Sequence, residues 1–145
     1  MRQTLLISTP RDASPTPVAP AQVPRGELAS RVLAMPSDAG PAGAVLGGWI
    51  MSLMNAAGWA SAGAVAHGPV VTVAVSKVTF LRQVEVGDVA CCYTDVARLG
   101  TTSITLAVEV WVLRQGQGER VKVTDAKYTY VAVDGNGRPR PVMVP

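Results

Sequence analysis

The sequence holds only two cysteines, adjacent at Cys91 and Cys92, and a single histidine, His67. Neighbours on a strand point to opposite faces, so these two thiols are not placed to bridge each other. That excludes a disulfide-built fold and favours a reducing, cytoplasmic setting. One histidine and two adjacent cysteines give no recognisable zinc set, so no metal site is expected. Aromatic residues make up only 5% of the chain, and its net charge of +3 is scattered. Nucleic-acid binding wants a basic stripe interleaved with aromatics, and none is present. A small anionic ligand bearing phosphates suits the same mild charge.

Long apolar runs are also scarce. After Met1-Arg2-Gln3-Thr4 the run Leu5-Leu6-Ile7 is too short for an export signal, which needs about 7–15 apolar residues. From Ala39 to Ser76 there is no Asp, Glu, Lys or Arg. Length alone would let part of this stretch span a bilayer. However, it is interrupted by Gly47, Gly48, Gly58 and Gly63, carries Ser52, Asn55 and Ser61, and lacks flanking cations. It reads as a buried helix of a soluble protein rather than a membrane span.

What is present fits one domain of 145 residues, with hydrophobic residues at 48%. Residues 8–26 contain Pro10, Pro15, Pro17, Pro20 and Pro24, so residues 1–26 form a proline-rich arm ahead of a domain at 27–145. Leu28 to Met35 predicts a first strand and Pro36 to Gly43 a loop. A helix follows over about 46–65, stopped by Gly68-Pro69. Four strands are then predicted: Val70 to Leu81, Asp88 to Arg98, Thr102 to Arg114 and Val121 to Val133. In the third, Ile104, Leu106, Val108, Val110 and Val112 share one face, with Thr105, Glu109 and Trp111 on the other. Gly116-Gln117-Gly118 predicts a hairpin loop. The fold class is α+β: one long buried helix wrapped by a five-stranded antiparallel sheet, the hotdog arrangement. One helix and one sheet leave edges and an outer surface uncovered, so at least a homodimer is expected.

Several segments, in order and at matching spacing, resemble the hotdog acyl-CoA thioesterases, in particular the small bacterial YciA-like group. They are Leu33-Ala34-Met35-Pro36-Ser37-Asp38, Gly47-Gly48-Trp49-Ile50-Met51-Ser52-Leu53-Met54 and Ala66-His67-Gly68-Pro69-Val70-Val71-Thr72-Val73-Ala74-Val75. Thr79-Phe80-Leu81-Arg82, Val86-Gly87-Asp88-Val89, Glu109-Val110-Trp111-Val112 and Tyr128 to Asp134 continue the match. The resemblance covers residues 28 to 142. It implies hydrolysis of an acyl-CoA thioester to free acid and CoA, active sites at a dimer interface, and dimers assembled into a hexamer. No cofactor is implied beyond the CoA thioester as substrate, and no nucleic-acid or membrane partner.

The resemblance also implies a catalytic Asp where this chain has Asn55. Two further polar positions of the family are filled by Gly40 and Ala44. An amide cannot take a proton near pH 7, though it can orient water or the thioester oxygen. The alternative function is a non-catalytic acyl-CoA-binding hotdog protein. A hydratase would want a His on the helix or its approach loop, where none lies. Asn55 shares a helix face with Gly48, Ser52, Trp59 and Ala62. The N–H groups of Gly47 and Gly48, at the helix start, suit a developing oxyanion. Ser52 borders the same face as a substrate contact. Arg82, Arg98, Lys127, Arg138 and Arg140 are candidate cations for the CoA phosphates. His67 is expected to cap the helix rather than act in catalysis. Asp88 is expected to fix its turn, and Trp49, Trp59 and Trp111 to pack.

Overall fold

The computed structural model describes residues 23–114, 116 and 118–142. Most of the expected N-terminal arm, residues 1–22, lies outside them. Strand β1 (Glu27–Leu33) leads through one 3-10 turn (Pro36–Asp38) to helix α1 (Gly47–Ala66). Strands β2 (Val70–Val75), β3 (Thr79–Phe80), β4 (Val89–Leu99), β5 (Ser103–Leu113) and β6 (Arg120–Ala132) complete the fold. All pair antiparallel in the order β1-β4-β5-β6-β2, and β3 pairs farther along β6.

The sheet has six strands rather than the five expected, because the segment Val70 to Leu81 is two strands. Ser76 explains the break. Its N–H donates to Lys127 O at 2.8 Å, and its Oγ accepts from Lys127 N at 2.7 Å. The hydroxyl thus replaces a main-chain acceptor and lets the chain step sideways before β3 rejoins β6.

The alternation read in β5 is real: Ile104, Leu106, Val108, Val110 and Val112 are all buried in the main core. They meet Ile50, Met54, Ala57 and Ala62 of α1 and Tyr128, Tyr130 and Ala132 of β6. Trp111 faces away, yet it is buried too, in a second cluster with Cys91 and Tyr93 on the outer sheet face. Its partner in register is Cys91, so the two side chains share that face.

Helix and sheet are locked by two tyrosines. Tyr128 and Tyr130, two residues apart on β6, donate to the main-chain oxygens of Met51 (3.1 Å) and Asn55 (2.9 Å). Carbonyls four residues apart on a helix are separated by about 6 Å, close to the two-residue repeat of a strand. Gly58 is the position where the ring passes closest: a Cβ there would sit 2.2 Å from the Tyr130 hydroxyl. Gly58→Ala is therefore expected to destabilise by about 2 kcal/mol, overpacking and a lost hydrogen bond outweighing the gain in helix propensity. At Gly63 the nearest atom is 3.5 Å away, and Gly63→Ala should be neutral or slightly stabilising. Urea denaturation of both variants at one protein concentration checks the contrast; equal effects would contradict it.

The sequence predicted a helix buried all round, but within one protomer it is buried on one face only. Met51, Ser52, Ala56, Trp59 and Ala60 are exposed on its second face. The neighbouring edge strand β2 exposes Val71, Val73 and Val75. One sheet can cover only one side of a helix, so both apolar surfaces lie together, uncovered, at the same edge. Among the described residues no helix is long and apolar enough to cross a membrane.

Candidate active site

Asn55 sits at this edge, half-buried, on the turn of α1 that faces β2. The Thr72 hydroxyl of β2 donates to its Oδ1 at 2.7 Å, and the Tyr130 hydroxyl lies 3.2 Å from the same oxygen. Burial raises the Tyr130 pKa, so the phenol stays protonated and remains a donor. With Oδ1 held by the Thr72 hydroxyl, the amide NH2 is the group left to face outward. It can donate to a thioester oxygen or to a water lone pair, but it cannot accept a proton.

Leu46 precedes the helix without a side-chain cap, and Trp49 N–H bonds back to Leu46 O at 3.1 Å. The N–H groups of Gly47 and Gly48 have no intrahelical acceptor, as at any helix start. A Cβ on Gly47 would press on the Phe80 ring at 3.1 Å, whereas Gly48 faces open space. Along the axis Asn55 stands seven or eight residues beyond these glycines, about 10–12 Å away. A reacting carbonyl must lie about 3 Å from both its oxyanion donors and the attacking group. One protomer cannot bring the two together.

The thioesterase superfamily pattern matches residues 42–119, from the approach loop through α1 to the residue before β6. This chain is a member of that family. It is 51% identical over 124 residues to the acyl-CoA thioester hydrolase YciA of Salmonella typhimurium, covering 83% of this chain and 93% of that protein. Its fold superposes on a hexameric thioesterase of Yersinia pestis with a TM-score of 0.80. The two are 47% identical, with 85% of this chain and 100% of that one covered. A hexameric hotdog fold thioesterase of Campylobacter jejuni gives a TM-score of 0.77 at 40% identity, over 81% and 91% of the two chains.

In this thioesterase the other expected site residues are dispersed. Ser52 is exposed one turn before Asn55. Arg82 lines an open cleft on the outer sheet face with Trp111, Arg120 and Lys122, away from Asn55. Arg98, Lys127 and Arg138 are exposed. Arg140 is committed elsewhere: its guanidinium donates to Ala66 O (2.8 Å), Val133 O (3.0 Å) and Pro141 O (3.3 Å). It closes the C-terminal end of α1, where free carbonyls and the negative end of the dipole favour a cation.

Among the described residues, the carboxylates nearest to Asn55 in sequence are committed elsewhere. Asp38 caps its 3-10 turn by accepting from Met35 N at 2.9 Å. Asp88 is buried, accepts from Glu85 N at 2.9 Å, and is forked by Arg114 through Nε and Nη2 at 3.1 Å each. It fixes its turn, as expected. Glu85 is mostly exposed and lies 3.7 Å from Arg114. His67 adopts the left-handed conformation at the helix end (φ 54°) and its N–H bonds Gly63 O, the capping role expected. Cys92 is fully buried among core residues and burial raises its thiol pKa, both of which disfavour a nucleophilic role.

Thr72 was not singled out in the sequence. The one hydroxyl in the run Val70-Val71-Thr72-Val73-Ala74-Val75 was the available signal. Trp59 also differs from expectation: it is 53% exposed rather than packed, with its Nε1–H on Val70 O at 3.1 Å.

Proposed function

We propose that this thioesterase hydrolyses acyl-CoA thioesters to free acid and CoA. It does so at sites built across a homodimer, three dimers forming a hexamer. The observation that carries the reading is the close similarity, over nearly its whole length, to an acyl-CoA thioester hydrolase. The uncovered α1–β2 edge supports the dimer: a second copy related by a two-fold axis would extend the sheet through β2 and cover both apolar faces. The same two-fold can carry the Gly47 and Gly48 amides of one protomer toward Asn55 of the other. The thioester oxygen then takes the amides as its oxyanion donors, with Asn55 donating to the carbonyl or to water.

Because Asn55 cannot remove a proton, hydrolysis is slow and accelerates with pH as hydroxide becomes available. Two unpaired thiols fit a cytoplasmic location. Release of CoA from a series of acyl-CoA esters, followed by thiol reagent, tests the activity. No turnover of any acyl-CoA by either this chain or its Asn55→Asp variant would sink it.

The dimer edge gives a separate expectation. Val73 is the bulged, exposed residue of β2, opposite the register shift between Thr72 and Ala74. Val73→Asp places a charge in the apolar edge without touching the core. It should yield monomers by light scattering and abolish hydrolysis. A dimeric, active Val73→Asp chain would reject edge pairing through β2.

A further inference from the structure

We propose that Trp59 is the wall that limits the length of the acyl chain. This rests on the reading that acyl-CoA is the substrate. A tryptophan exposed to half its surface and yet anchored by its indole N–H to a main-chain carbonyl is held in place. The other two tryptophans pack, Trp49 against the core and Trp111 in the outer cluster. Trp59 alone projects from the uncovered face of α1, one turn beyond Asn55.

Its position follows from two parallel tethers. Asn55 bonds Thr72, and Trp59 bonds Val70, so successive turns of α1 are laced to alternate residues of β2. A helical side chain leans toward the helix N-terminus and covers the turn before its own Cα. The indole therefore stands over the exposed α1–β2 edge next to Asn55, on the side of the helix C-terminus.

Of the two arms that leave a thioester, CoA carries phosphates and amides, whereas the acyl chain is apolar. No charged residue lies between Asp38 and Lys77, and the neighbours of Trp59 on the exposed face are Ala56 and Ala60. This surface suits the acyl arm. Trp59 stands one turn, about 6 Å along the axis, from Asn55, and its indole leans back over that turn, which leaves room for a short chain only.

The test uses the full chain carrying Asn55→Asp, so that turnover is fast enough to rank substrates. Values of kcat/KM for acetyl-, butyryl-, octanoyl- and dodecanoyl-CoA are compared with Trp59 intact, Trp59→Ala and Trp59→Phe. With Trp59 the rate should fall beyond the short esters. Trp59→Ala should raise the octanoyl-to-acetyl ratio by roughly tenfold or more, since each methylene newly buried contributes about fourfold. Trp59→Phe keeps a ring and should keep most of the short-chain preference. Inhibition by free CoA should not change, which separates the wall from general damage to the site. If Trp59→Ala does not assemble, Trp59→Leu shortens the wall with less loss of packing. An unchanged ratio in an assembled, active variant overturns the wall alone. So does a Trp59→Phe profile equal to that of Trp59→Ala, which would make the tether rather than the ring decisive. Absence of turnover with every ester overturns the acyl-CoA reading and the wall with it.

Discussion

Asn55→Asp should raise kcat toward acyl-CoA by about 10²-fold or more, the range a positioned general base supplies. The substitution is nearly isosteric, and the structure already holds its oxygen. Thr72 donates to Oδ1 at 2.7 Å, and the Tyr130 hydroxyl is 3.2 Å away. The Thr72 hydroxyl is a neutral donor that favours an ionised carboxylate, countering the burial that a partner would add, while the one Tyr130 proton goes first to the Asn55 main-chain oxygen at 2.9 Å. The second carboxylate oxygen would take the outward place now filled by the amide NH2. There it can accept a proton from water.

The pH dependence should change along with the rate. A carboxylate base works above its pKa, which starts near 4 for an ordinary Asp, so kcat/KM of the variant should level off well below neutrality. The unmodified chain has no such group in the described site and should climb with pH across the same range. Stopped-time assays of both proteins from pH 5 to 9 decide the matter. Equal rates and parallel profiles would show that position 55 is not where the base acts.

Local patterns made much of this fold legible. The alternation in β5 needed only period-two counting, and every residue it assigned inward is buried. Gly68-Pro69 marked the helix end, which falls at Ala66. What stayed hidden depends on contacts between distant segments. Arg140 reads as a surface cation until the chain brings it to Ala66, 74 positions earlier. Cys91, Tyr93 and Trp111 become a second cluster only once the β4–β5 register is known. The split of β2 from β3 turns on one serine hydroxyl.

The site was legible in a different way. Asn55 stands out because the resemblance assigns its position a role, and Gly47 and Gly48 because they begin a helix, not because their spacing brings the three together. Their spacing in fact holds them apart: a straight helix cannot bring the first turn to the third. Thr72, the residue that orients Asn55, lies seventeen positions away on another element. Helix periodicity carries no information about it.

The separation of the two halves yields the second large effect, restoration of activity by mixing two dead chains. Pro is tolerated in the first turn of a helix, where its N–H has no acceptor to lose. Gly48 has open space around its Cα, and Gly47 before it accepts the restricted conformation. Gly48→Pro in the Asn55→Asp background removes an oxyanion donor and should cost about 10²–10³-fold. Asn55→Ala removes the other half of the site. Co-expressed with different tags, the two chains form mixed dimers. In each of these, one site joins the intact helix start of the Asn55→Ala chain to the Asp of the Gly48→Pro chain. The other site carries both defects. Random pairing makes half the dimers mixed, so about a quarter of the Asn55→Asp activity should return. If each site lay within one protomer, every site in the mixture would keep one defect and no activity would return. If Gly48→Pro by itself were fully active, the Gly48 amide would not be an oxyanion donor. The site would then have to be built on Gly47 alone.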